Sequence, residues 1–110
     1  MKETAPRTFI QALLVQDLVP GKLQVVELEG FRIAIGLNGD DVFAFKDRCS
    51  HAGSSFAAGR VIRDCLVCPM HGARFDTRTG VCIGSPYSPL ERFEARVVEG
   101  MVEVAVPAPL

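Results

Sequence analysis

The sequence predicts an all-β chain, an antiparallel scaffold of strands carrying an irregular insert. Three observations predict it. Ten Gly and seven Pro fall within only 110 residues, which favours many turns and many short strands. Several runs alternate apolar and polar residues with the period of two that half-buried strands require. No stretch sustains the periodicity of an amphipathic helix.

Taken in order, residues 1–7 read as a loose polar lead-in and 8–14 as a strand. Residues 17–21, ending in Pro20 and Gly21, form a turn. Residues 23–29 alternate in part and stop at Gly30. Residues 31–35 alternate cleanly, and Asn38, Gly39 and Asp40 supply a hairpin turn of the kind that accepts positive φ. Residues 41–45 are the returning strand, so the first half reads as an antiparallel meander. The stretch 49–84 differs: it is rich in Gly, Ser, Pro and Arg and holds every Cys and His in the chain. Only short strand-like pieces such as 60–63 occur there. Residues 90–98 read as one long strand, Glu99 and Gly100 turn, and 101–106 return. The expected organisation is a single domain over 1–110. Its β scaffold spans 8–47 and 88–106, and its ligand-bearing insert spans 48–87, the arrangement of polar loops on a rigid sheet that often carries function.

Composition narrows the function. Apolar residues at 48% and charged residues at 23% suit a folded globular domain. A net charge of -1 with no basic stripe argues against nucleic-acid binding. No run of 18 apolar residues offers a transmembrane helix. The candidate signal stretch 9–19 is broken by Gln11, Gln16 and Asp17, and Arg7 stands alone, so a cytoplasmic location is expected. In such a compartment four cysteines point to metal ligands or buried thiols before disulfides.

The chemistry lies in Cys49-Ser50-His51 and Cys68-Pro69-Met70-His71. These hold the two histidines of the chain, each within three residues of a cysteine. Two loops, each offering one thiolate and one imidazole, can make a four-ligand site. A structural zinc site is the rival, but zinc fingers usually pair two cysteines and then two histidines, and the order here differs. Cys65 and Cys68 also form a C-x-x-C, without the strand–helix context of a dithiol redox pair. Cys65 and Cys82 are expected as partly buried thiols; the sequence leaves a disulfide between them open.

C-x-H, sixteen residues, then C-x-x-H resembles the Rieske iron–sulfur proteins. Gly59, the run from Cys68 through Gly72, Ala73, Arg74, Phe75 and Asp76, then Thr79, Gly80 and Pro86 extend the likeness over nearly the whole chain. The resemblance implies a Rieske-like antiparallel β sandwich with an inserted cluster-binding subdomain. It implies one two-iron, two-sulfide cluster, with Cys49 and Cys68 on one iron and His51 and His71 on the other. Two ferric ions, two sulfides and two thiolates sum to about zero, against about -2 for an all-cysteine cluster, so an added electron meets less repulsion.

Respiratory members of that family add a cysteine to each loop, forming a disulfide, and place a Ser and a Tyr as donors to cluster sulfurs. Here those positions hold Ser54, Met70, Ala73 and Phe75. Fewer donors imply a potential near the low end of the Rieske range. That pattern is similar to the ferredoxins of bacterial aromatic-ring dioxygenase systems. It implies a monomeric carrier between a flavin-dependent ferredoxin reductase and a terminal oxygenase, with no nucleic-acid or membrane partner and no substrate turnover of its own. The small subunit of nitrite reductases shares the fold but often lacks the ligands, which are all present here. A detached oxygenase domain would need a 2-His-1-carboxylate iron site that the two histidines cannot also supply. Pro86 and Tyr87 read as a cover for the cluster or as a simple turn, and Arg74 and Asp76 as a pair bracing the second loop or as solvated charges; Met70 and Tyr87 are expected as docking contacts, and Phe56 reads equally as a docking contact or as core.

Overall fold

The computed structural model describes residues 7–50, 53–70 and 72–107. Its regular structure is three antiparallel sheets and a single short 3₁₀ turn at Val15–Asp17. In chain order the strands are β1 (Arg7–Leu14), β2 (Gln24–Leu28), β3 (Phe31–Asn38), β4 (Asp41–Lys46), β5 (Arg60–Ile62) and β6 (Cys65–Val67). They continue with β7 (Arg74–Asp76), β8 (Cys82–Ile83), β9 (Arg92–Phe93), β10 (Ala95–Val98) and β11 (Met101–Pro107). The first sheet has the order β1-β11-β10, the second β2-β3-β4-β9 and the third β5-β6-β7-β8. Among the described residues no helix is long and apolar enough to cross a membrane.

The middle of the expected meander forms as read. β3 and β4 pair from Ile33↔Lys46 to Asn38↔Asp41, leaving Gly39 and Asp40 as a two-residue turn. Two expectations are corrected. β1 does not join β2; it pairs with β11, from Arg7↔Pro107 to Leu14↔Met101. The 3₁₀ turn, with the Val15 N–H bonded to the Gly100 carbonyl at 2.9 Å, redirects the chain away from the first sheet. This gives β11, whose Val102, Val104 and Val106 are buried, a neighbour on each edge.

The expected long strand over 90–98 is also two strands. β9 pairs with β4 and β10 pairs with β11, so the chain changes sheet at Glu94, whose carbonyl accepts the Ala105 N–H at 2.8 Å. Leu90 and Phe93 are both buried. Three apart, they face opposite sides of the middle sheet, Leu90 in the core with Phe45 and Phe93 in the core with Val102.

The second sheet is the middle layer. Ile33, Ile35, Ala44 and Phe93 face a core shared with Val102, Val104 and Val106 of the first sheet. Ala34, Phe43 and Phe45 face a second core with Leu66, Phe75, Cys82 and the two loop cysteines. The alternation expected over 31–35 is corrected: residues 33–36 and 43–45 are buried in succession, because β3 and β4 are covered on both faces. Each fully buried Phe contributes about 1.5–3 kcal/mol, and Phe45, Phe56 and Phe75 all lie in that second core. The third sheet and the loops that spring from it are therefore held to the scaffold by aromatic packing.

Candidate metal centre

Two loops present cysteines from the same backbone frame. In the first, the Cys49 N–H bonds the Ser54 carbonyl at 2.9 Å and the Gly53 N–H bonds the Cys49 carbonyl at 2.6 Å. In the second, the Cys68 N–H bonds the Ala73 carbonyl at 2.8 Å and the Gly72 N–H bonds the Cys68 carbonyl at 3.1 Å. Each cysteine thus closes a loop onto residues four and five places later. The residue four places on is in both cases a glycine with φ of 71°, a conformation that a side chain disfavours. His51 and His71 belong to these loops in sequence and lie outside the described residues.

Cys49 and Cys68 are buried, at 0% and 1% exposure, in the core with Phe56 and Phe75, against which Ala73 packs. The Phe56 and Phe75 rings meet edge-on with centroids 6.1 Å apart. The loops are tied to each other and to the scaffold. The Ser54 hydroxyl lies 3.5 Å from the Cys68 sulfur. The Ser50 hydroxyl donates to the Ser88 carbonyl at 2.5 Å, linking the first loop to the proline-containing segment before β9.

The main anchor of the first loop is Asp47, whose carboxylate is fully buried beneath Arg32. It accepts the Ser55 hydroxyl at 2.6 Å and the Phe56 N–H at 2.6 Å, and the exposed Arg32 guanidinium donates to it at 3.2 Å. A residue before the loop thereby holds two residues after it, fixing the exit and return of 47–56. Sequence reasoning did not single out Asp47, Gly53 or the Ser54–Cys68 contact. The legible signal was the repeated glycine four residues after each loop cysteine.

Several expected roles are corrected. Phe56 is wholly buried and offers no docking contact. Met70, at 58% exposure, and Tyr87, at 37%, do reach the surface. Asp76 closes the turn between β7 and β8 and does not brace the second loop: its carboxylate accepts the Arg78 N–H at 2.7 Å and the Thr79 N–H at 3.3 Å. Among the described residues the ion pairs are Arg32–Asp47 and Arg96–Glu103, so Arg74 is not joined to Asp76. Cys65 and Cys82 are free thiols. Leu66, Phe75 and Cys82 form one cross-strand row facing the core, and Cys65, adjacent to Leu66, projects from the other face. The two thiols are on opposite sides of the sheet, which rules out a disulfide between them.

Residues 8–94 match the family model described as the Rieske [2Fe-2S] domain. The chain belongs to the Rieske family. Ferredoxin CarAc of Metapseudomonas resinovorans is 34% identical over 99 residues, covering 88% of this chain and 92% of that protein. The anthranilate 1,2-dioxygenase ferredoxin subunit of Burkholderia cepacia is 39% identical over 75 residues, covering 67% and 69%. A solved complex of reduced oxygenase and oxidized ferredoxin in carbazole 1,9a-dioxygenase contains a chain with TM-score 0.81 and 34% identity, covering 93% of this chain and 96% of that one.

As a Rieske domain the chain takes one two-iron, two-sulfide cluster. The described half of the site suits such a group. Two buried thiols sit on matching loops. In each loop a glycine at positive φ keeps side-chain bulk away from the turn.

Proposed function

We propose that this chain is a one-electron carrier that passes electrons from a flavin-dependent ferredoxin reductase to the terminal oxygenase of an aromatic-ring-hydroxylating system. Its cluster is held by Cys49 and Cys68 on one iron and by His51 and His71 on the other. One observation carries the reading: the matched cysteine loops, on a chain that aligns over 93% of its length with a chain of the carbazole 1,9a-dioxygenase oxygenase–ferredoxin complex and over 67% with the anthranilate 1,2-dioxygenase ferredoxin subunit. The bound cluster supplies one reversible electron per chain.

Each part of the chain serves that task. Asp47 fixes the first loop, and the Phe56–Phe75 contact joins it to the strand that leaves the second. Rigid loops keep reorganisation on electron transfer small, because donors already stand where charge will change. The second loop is exposed at Met70, and Tyr87, which shares a cleft with Gly72, also reaches the surface, so a partner can approach the cluster end of the molecule. The proposed organisation is one domain, with scaffold 8–47 and 88–106 and cluster-binding insert 48–87. It works as a cytoplasmic monomer, a form suited to a carrier that must leave one partner to reach the next. The chain itself turns over no substrate.

The test is a reductive titration of the purified protein. Reduction should take up one electron per chain, with about two irons and two acid-labile sulfides bound. NADH with a flavin-dependent ferredoxin reductase should bleach the visible band. A colourless protein holding one zinc and no labile sulfide would overturn the reading.

A further inference from the structure

Charge is divided unevenly along this chain. Over 47–90, Arg48, Arg60, Arg63, Arg74 and Arg78 face Asp47, Asp64 and Asp76, an excess of two positive charges. The remaining residues carry seven cations and ten anions, an excess of three negative charges. The net charge of -1 therefore hides a positive cluster-bearing half on a negative scaffold.

Two of those arginines stand beside the second loop. Arg60, Val67, Arg74 and Ile83 form one cross-strand row on the outer face of the third sheet. β6 ends at Val67 and β7 begins at Arg74, so the loop carrying Cys68 springs from this row. A cleft of about 270 Å³ on one side of the loop is lined by Arg60, Cys68 and Gly72. A second, of about 260 Å³ on the other side, is lined by Gly72, Arg74, Ile83 and Tyr87. Both arginines are exposed, and among the described residues neither has an acidic partner. Asp76, the nearest acid in sequence to Arg74, is already bonded to backbone. Arg48 adds a third exposed cation at the first loop, where its guanidinium would lie 3.6 Å from a Cβ on Gly53. Exposed Met70, Ile83 and Tyr87 supply apolar contact within the same surface.

We propose that the Arg60 and Arg74 clefts, with exposed Met70, Ile83 and Tyr87, form a docking surface for a redox protein whose own cofactor is ringed by carboxylates. This rests on the electron-carrier reading and adds the sign of the partner's charge. A guanidinium in a shallow cleft suits a carboxylate, which it can grip through two parallel hydrogen bonds. The field of the cationic half also orients the molecule, turning its cluster end towards an anionic surface while the scaffold is repelled. Total charge alone would predict the reverse, a weak preference for a cationic partner.

A chemically defined electrode tests the sign without knowledge of the partner. The holoprotein is examined by voltammetry on gold bearing either a carboxylate-terminated or an amine-terminated monolayer. Electron exchange should be faster on the carboxylate surface and should slow as salt is added. Arg60→Glu with Arg74→Glu should cut that rate about tenfold, with visible and EPR spectra unchanged. Arg60→Gln with Arg74→Gln, milder for folding, should produce a smaller loss in the same direction. Faster exchange on the amine surface, or no loss in either pair of variants, overturns the docking surface while leaving the carrier reading intact. A protein lacking iron and labile sulfide, with no wave on either surface, overturns both.

Discussion

Replacing Asp47 should destabilise the protein far more than replacing Arg32, its charged neighbour. The carboxylate is fully buried, accepts two short hydrogen bonds from Ser55 and the Phe56 N–H, and receives a third from Arg32. Hydrogen bonds to a charged group contribute about 1.5–3 kcal/mol each, and a buried donor left unsatisfied keeps its full desolvation cost. Asp47→Ala removes both buried bonds and strands the Phe56 N–H, a loss of about 3–5 kcal/mol. Asp47→Asn keeps one carbonyl acceptor and should lose about half as much. Arg32 is 58% exposed, so Arg32→Ala should cost no more than about 1 kcal/mol. The assay is urea unfolding of the holoprotein under anaerobic conditions, followed by far-UV circular dichroism, with visible absorbance reporting the cluster. With a slope of about 2 kcal/mol per molar urea, Asp47→Ala should lower the midpoint by about 2 M and Arg32→Ala by less than about 0.5 M. The visible band should be lost at lower urea in the Asp47 variants. An Asp47→Ala midpoint within about 0.3 M of wild type would show that the loop is closed by something other than this carboxylate.

Ser54→Ala should lower the reduction potential. With Cys68 bound to iron as proposed, its thiolate can only accept, so the Ser54 hydroxyl, 3.5 Å away, would be the donor; at that length a differential of about 0.5–1 kcal/mol corresponds to about 20–40 mV, and an unchanged potential would remove Ser54 from the tuning set. The wild-type value should lie near the low end of the Rieske span, roughly -150 mV, because buried Phe75 has no hydroxyl and Ala73 none either; voltammetry giving about +250 mV would contradict this. Gly80→Ala should destabilise more than Gly72→Ala. Both glycines have positive φ, 81° and 71°, a strain of about 1–2 kcal/mol for an added Cβ. At Gly80 that Cβ would also stand 2.7 Å from the Leu90 carbonyl oxygen, whereas at Gly72 it meets nothing among the described residues; equal urea midpoints would refute the steric argument.

The class of fold and the pair of cysteine loops were legible because they depend on local signals: alternation, turn residues and the spacing of rare ligand types. The β3–β4 hairpin followed from Asn38, Gly39 and Asp40 in the same way. Pairing between distant strands was not legible. Nothing local tells β1 to seek β11 across more than eighty residues, and alternation alone is silent about which edge is vacant. The break at Glu94 was not legible either: β9 and β10 follow one another with one residue between them, and the run was read as a single element. Phe56 shows the limit for side chains. An aromatic next to a loop reads equally as contact or core, and its burial is decided by Phe75, nineteen residues later. Asp47 was missed because its partners are a hydroxyl and a backbone N–H, neither of which marks a sequence.

The central claim is a two-iron, two-sulfide cluster with thiolates on one iron and imidazoles on the other. Pulsed EPR of the reduced protein, grown with nitrogen-15 histidine, tests it most directly. With two histidines in the chain, the account predicts couplings to two directly bound imidazole nitrogens, and loss of one of them with the signal altered in His51→Cys or His71→Cys. A reduced cluster showing no histidine nitrogen coupling, or a protein with no paramagnetic iron at all, would contradict it.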